Sequence, residues 1–302
     1  MKAPFPYYGG KSRVADDVWR RLGDVKVYVE PFCGSLAMLL ARPHDTTTAF
    51  EVINDYDGHV INVWRAIQAD PDAVALWARG PSSEIDMQAR HNFMFDRVDR
   101  TNERLRNDPE YYDPQIAGYW LYFKCSVIGG RGALLERHGS RIPELTNCRG
   151  IFSLGLRDDI CVILRELSAR IRHLSIACGD WQRVLGPSTI GKRKSSTGIF
   201  LDPPYDGAGE EWDDDIYNTA GAGVFQDVLA WCNANGDDPA LRIALCGYEG
   251  IEAPAGWSVF EWQATGGMSA LAKGDSRSKD NKHRERIWFS PHCVSDAQFQ
   301  LF

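Results

Sequence analysis

The sequence predicts an α/β fold in which an open sheet presents its carboxyl edge to a ligand. Three observations carry this. The apolar run Gly198-Ile199-Phe200-Leu201 ends abruptly at Asp202-Pro203-Pro204-Tyr205, and two prolines cannot donate to a ladder, so a buried strand must stop there. Residues 26–35 read as a strand, then a turn at Gly34, then a helix over 36–41, the usual entry to a nucleotide-type site. A second strand over 48–53 ends in Asn54-Asp55, an acid about 20 residues past the glycine turn, where such folds hold ribose hydroxyls.

Composition bounds the answer. The chain has 302 residues, 44% of them hydrophobic, with a formal net charge of −7. That is enough for one large α/β domain with an insert and a real core. The acidic balance argues against a general DNA-coating protein but leaves room for a local basic groove. No apolar stretch approaches the roughly 20 residues of a membrane span, and the first residues lack a signal-peptide core, so a cytoplasmic protein is expected. The eight cysteines are scattered without a C-x-x-C pair. No metal site and no disulfide is expected, and Cys178 and Cys246 read as packed thiols.

In chain order, Phe5-Pro6-Tyr7-Tyr8-Gly9-Gly10-Lys11 precedes an amphipathic helix over 12–22. Tyr7 is placed to pack on a ligand and Lys11 to pair with a carboxylate. Glu30, where the first strand meets its turn, faces the ligand on this reading. Asp55 is read as the ribose acid and Asp57 as a cap for the helix over 58–68, the alternative being that both acids are caps. Residues 70–154 change character, rich in Arg, Asn, Asp and aromatics, with helical periodicity over 84–105 and 115–126. Within them, glycines and basic residues suggest a loop or hairpin on which Arg131, Arg137, Arg141 and Arg149 meet phosphates or guanines. A helix over 157–172 returns to the sheet. A third strand over 173–178 delivers Gly179-Asp180-Trp181, an acid and an indole suited to an adenine ring. A basic loop at 191–196 precedes the central strand.

Beyond Tyr205 the acidic run 210–215 lacks the spacing of a calcium loop and has no assigned role. A helix over 224–234 and strands over 242–247, 257–263 and 285–289 complete the sheet, the last two as an antiparallel pair around a basic loop. At Asp202-Pro203-Pro204-Tyr205 the chemistry is specific. An exocyclic amine on a nucleobase is a poor nucleophile because its lone pair is delocalised. The Asp202 carboxylate and the Pro203 carbonyl can accept its two N–H bonds and free that lone pair, while Tyr205 stacks on an extruded base.

Taken together, Tyr7-Tyr8-Gly9-Gly10-Lys11, Glu30-Pro31-Phe32-Cys33-Gly34, Asn54-Asp55, Gly179-Asp180-Trp181 and Asp202-Pro203-Pro204-Tyr205 follow the motif order of the DNA adenine-N6 methyltransferases, and over 5–289 outside its insert the chain resembles that family. The resemblance implies a Rossmann-like sheet of six parallel strands and one antiparallel, S-adenosylmethionine as methyl donor, double-stranded DNA as partner and a flipped adenine as acceptor. It implies a catalytic domain of 1–76 and 155–302 with a mostly helical target-recognition insert of 77–154. Cofactor binding is expected of Tyr7, Lys11, Glu30, Phe32, Gly34, Asp55, Asp180, Trp181 and Asp202; catalysis of Asp202, Pro203 and Tyr205. Restriction–modification is among the settings it implies. One departure is Leu36, where the family often has a second glycine. The tail 298–302, with Gln298, Leu301 and Phe302, is similar to the short peptides that dock into bacterial sliding clamps.

Two other readings fit the same residues. One is a methyltransferase for RNA adenine, DNA cytosine N4 or a protein glutamine; the basic, glycine-rich insert and the motif order favour DNA adenine. The other is a catalytically silent relative that binds DNA or cofactor, which the intact Asp202 and Tyr205 disfavour.

Overall fold

A computed structural model describes residues 1–7, 11–43, 50–80, 84–126, 150–152, 160–190, 196–204, 223–262 and 285–295. Seven strands form one sheet in the order β3-β2-β1-β4-β5-β7-β6. They are β1 (Val27–Glu30), β2 (Phe50–Asp55), β3 (Ser175–Cys178), β4 (Thr197–Leu201), β5 (Leu241–Tyr248), β6 (Ser258–Glu261) and β7 (Glu285–Phe289). β1 lies parallel to β2 and β4, and β4 parallel to β5. β7 runs antiparallel to β5 and to β6. Every residue of β1 and β4 is buried, as expected for parallel strands covered on both faces. The Rossmann-like sheet expected from the sequence is therefore present. Among the described residues no helix is long and apolar enough to cross a membrane.

The chain divides into two compact units. One comprises 1–10, 34–36 and 54–181; the other 11–33, 37–53 and 182–302.

The first unit is largely helical: α3 (Gly58–Ala69), α4 (Pro71–Trp77), α5 (Glu84–Phe95), α6 (Val98–Asn107), α7 (Pro114–Ser126) and α8 (Ile160–Ile171). Its core gathers aromatics around Phe5, whose ring lies 5.6 Å from Trp64 and 5.0 Å from Trp120. Polar groups lock the helices. Asn62 donates to the Asp113 carbonyl and accepts from its N–H, and Asp113 caps α7 through the Ile116 N–H. Arg65 donates to the carbonyls of Leu105, Asp108 and Tyr111, tying α3 to the end of α6. The single periodic stretch expected over 84–105 is two helices. The break falls at Asp96-Arg97, where the Arg97 guanidinium lies 3.7 Å from the Phe93 ring and donates to the Phe93 carbonyl near the end of α5.

The second unit carries α1 (Ala15–Leu22), α2 (Ala37–Leu40), α9 (Pro187–Ile190) and α10 (Val224–Asn235) with most of the sheet. Trp19 on α1 donates to the Met38 carbonyl of α2 at 2.7 Å. A buried Arg42–Glu51 pair at 2.9 Å joins the segment after α2 to β2, with Arg42 also donating to the Val25 carbonyl. The helix expected over 12–22 is a 3-10 turn, Lys11–Arg13, followed by α1. The tighter turn leaves the Lys11 side chain 3% exposed.

Candidate active site

The Gly34 turn belongs to the first unit. Gly34 has φ +43°, a left-handed conformation that glycine adopts without penalty. Its N–H donates to Asp55 Oδ2 at 2.9 Å, and its carbonyl accepts from Trp64 Nε1 at 2.9 Å. Asp55 ends β2 and also accepts the Asp57 N–H on Oδ1 at 3.0 Å. Asp57 caps α3 by accepting from the His59 N–H at 2.8 Å. Asp57 thus caps the helix as expected, and Asp55 holds the glycine turn. Burial, and then the neighbouring Asp57 charge, push the Asp55 carboxyl up to about 7, against the N–H bonds from Asp57, Gly34 and Tyr56 that favour its ionised form.

Tyr7 packs on this turn. A Cβ added to Gly34 would stand 2.5 Å from Tyr7 Cδ1, so only glycine allows this approach. The Tyr7 ring meets Phe5 edge-on at 6.3 Å and the Lys124 ammonium at 5.2 Å. Leu36 follows at φ +56° and is fully buried. A left-handed leucine costs roughly 1–2 kcal/mol. Full burial of its side chain contributes about 1.5–3 kcal/mol, so packing outweighs the strain and a glycine is dispensable there. At the end of β3, Gly179 donates its N–H to the Asp55 carbonyl at 3.0 Å and accepts from Asn54 Nδ2 at 2.9 Å. Asp180 is exposed, whereas Trp181 is 5% exposed and opens a 3-10 turn.

The Asp202 cluster belongs to the second unit. β4 is buried throughout, and Asp202 is the first residue past its end. The Lys11 ammonium lies 3.2 Å from Asp202 Oδ1 and 3.5 Å from Glu285 Oε2. Burial alone would lower the Lys11 ammonium. The carboxylates outweigh it and hold lysine above its ordinary value. Glu285 is raised, by burial first, with Lys11 opposing and Asp202 adding. The Cys246 thiol is pushed well up by burial and then by Asp202, so it stands here as a neutral packed group, as its sequence context suggested. The indole of Trp262 lies 5.8 Å from the Lys11 ammonium. Pro203 is buried and Phe32 half-buried. Glu30 is 2% exposed and accepts from the Tyr28 hydroxyl at 3.1 Å. Burial raises its carboxyl well above the usual range, with Tyr28 opposing.

The expected pairing of Lys11 with a carboxylate is found, with two carboxylates rather than one. Glu285 was read only as the start of a strand. An acid opening an antiparallel strand near the carboxyl edge of the sheet is the available signal. Tyr205, Arg131, Arg137, Arg141, Arg149, the acidic run 210–215 and the tail 298–302 lie outside the described residues.

Residues 7–128 match the family described as D12 class N6 adenine-specific DNA methyltransferase. No curated protein matches the chain. The matched segment contains Tyr7, Lys11, Gly34 and Asp55 and ends before Asp180 and Asp202.

Proposed function

We propose that the protein is an N6 adenine-specific DNA methyltransferase, the family that residues 7–128 match, that its methyl donor is S-adenosylmethionine and that its acceptor is an adenine flipped out of double-stranded DNA. The residues fit such a donor. The turn at Gly34 leaves its backbone without a side chain, and a half-buried carboxylate at Asp55 suits the donor's ribose hydroxyls. Tyr7, Lys11, Glu30, Phe32, Asp180, Trp181 and Asp202 complete the proposed binding set. The donor, when bound, supplies an electrophilic methyl group on a sulfonium sulfur.

The chain's own residues prepare the amine. Asp202 and the Pro203 carbonyl accept the two N–H bonds of adenine N6, drawing the nitrogen towards tetrahedral geometry and exposing its lone pair. Tyr205 stacks on the base. Catalysis on this reading is positioning and removal of water, with no covalent enzyme intermediate. The observation that carries it is Asp202 standing immediately past the buried strand β4 with its Oδ1 held 3.2 Å from a buried ammonium.

Residues 77–154 are proposed as the target-recognition insert, with Arg131, Arg137, Arg141 and Arg149 on DNA. The tail 298–302 is proposed to dock into a sliding clamp; its removal should abolish clamp pull-down, and unchanged capture would dismiss it. The activity is tested by Asp202→Ala and Asp202→Asn in a tritiated-methyl assay on DNA, followed by mass spectrometry of the nucleosides. Loss of N6-methyladenine with an unchanged unfolding curve is expected. Full residual transfer by Asp202→Asn would refute the role of the carboxylate.

A further inference from the structure

The sheet brings two acids to one edge. β4 and β5 run parallel, with Leu201 opposite Leu245, and Asp202 follows Leu201. β7 runs antiparallel to β5, so its first residue, Glu285, pairs with Tyr248, the last residue of β5. Parallel strand ends and antiparallel strand starts share the carboxyl edge. Lys11, from the turn before α1, reaches both acids, at 3.2 and 3.5 Å.

We propose that Glu285 is a positioning residue for methyl transfer, acting through Lys11: it draws the buried ammonium to one side of the Asp202 carboxylate and gives the Lys11–Asp202–Glu285 cluster a net negative charge where the amine is received.

Without the pull of Glu285, the ammonium would move towards Asp202 and lie more nearly across both of its carboxylate oxygens. It would then compete for the lone pairs that the amine's N–H bonds need. A second carboxylate, 3.5 Å away, attracts the ammonium from another side and biases its direction. Within the cluster, two carboxylates against one ammonium give a formal excess of one negative charge, which suits an amine whose hydrogens become more acidic as its nitrogen is alkylated.

Stability alone is a poor explanation for this arrangement, because buried charge clusters contribute little net stability once desolvation is counted. Glu285 is 13% exposed, and its Oε2 has no closer hydrogen bond among the described residues than the 3.5 Å approach of Lys11. That is a long contact for a residue whose role is to bind tightly, and a sufficient one for a charge that aims its partner.

The inference rests on Asp202 being the amine's acceptor, so the test carries that residue as its internal reference. Single-turnover methylation is measured for the wild type, Glu285→Gln, Glu285→Asp and Asp202→Asn, with affinities for S-adenosylhomocysteine and DNA and the unfolding midpoint of each. Glu285→Gln is expected to lower the single-turnover rate about tenfold to a hundredfold, the scale of a positioning loss, while both affinities move less than about threefold. Glu285→Asp, which keeps the charge, is expected to recover part of the rate. A wild-type rate in Glu285→Gln while Asp202→Asn is dead overturns the role of Glu285 alone. A wild-type rate in Asp202→Asn overturns the reading beneath it. A rate loss matched by lost ligand affinity and a lowered unfolding midpoint, with Glu285→Asp no better than Glu285→Gln, makes the residue structural and also overturns the proposal.

Discussion

Replacing Gly34 by alanine tests the glycine turn most directly. The backbone cannot rotate away from its φ of +43°, because Asp55 holds the Gly34 N–H and Trp64 holds its carbonyl, each at 2.9 Å. Keeping a left-handed conformation costs an alanine roughly 1–2 kcal/mol. Its Cβ would also stand 2.5 and 2.6 Å from Tyr7 Cδ1 and Cε1, where carbon atoms prefer about 3.5–4.0 Å. The ring must therefore retreat by about 1 Å, away from its contacts with Phe5 and Lys124. Overpacking of this kind costs typically about 1–3 kcal/mol. The sum is about 2–5 kcal/mol. Urea unfolding should show that loss, and calorimetric titration with S-adenosylhomocysteine should show at least about tenfold weaker binding, equivalent to about 1.4 kcal/mol. Tyr7→Ala in the Gly34→Ala background should recover the overlap component and leave the backbone component, a coupling readable in a double-mutant cycle. Unchanged stability and affinity in Gly34→Ala, or additivity of the two changes, would refute the reasoning.

Two further outcomes are expected. Asp55 titrates at about 7 in the folded chain and near 3.9 when unfolded. Between those values the folded state holds a proton that the unfolded state has released, so stability falls as pH rises through this window. The fall is at most about 4 kcal/mol at about 1.36 kcal/mol per unit, reduced by partial exposure. Asp55→Asn should flatten it in urea unfolding between pH 4 and about pH 8; an undiminished slope would show that another group carries it. Alanine at Arg131, Arg137, Arg141 or Arg149 should change which DNA sites are methylated, read by methylation-sensitive sequencing, while donor affinity holds. Loss of donor binding instead would remove these arginines from the DNA-reading role.

Patterns local in sequence were legible without coordinates. Apolar runs ended by prolines or glycines marked β4 and β1, and Asp57 stood where a helix cap belongs. β7 was read at 285–289 and found there. The joint order of five short motifs pointed to adenine-N6 methylation before the family match over 7–128. Each of these signals is set by neighbours within a few residues, through turn chemistry, capping and strand period. What sequence left open involved groups far apart in the chain. Asp55 is expected at the end of the second strand, but its acceptance of the Gly34 N–H, 21 residues away, follows only from the packing of the turn. Leu36 looked like a defect in the turn until its side chain was found fully buried. Lys11 advertised a carboxylate partner but not which one. The pairing with Asp202 and Glu285 arises because parallel β4 and antiparallel β7 put an end and a start on the same edge. Charge pairing depends on distance in space, and only the folded sheet brings residues 11, 202 and 285 within a few ångströms; the residue types and their order belong to the chain itself.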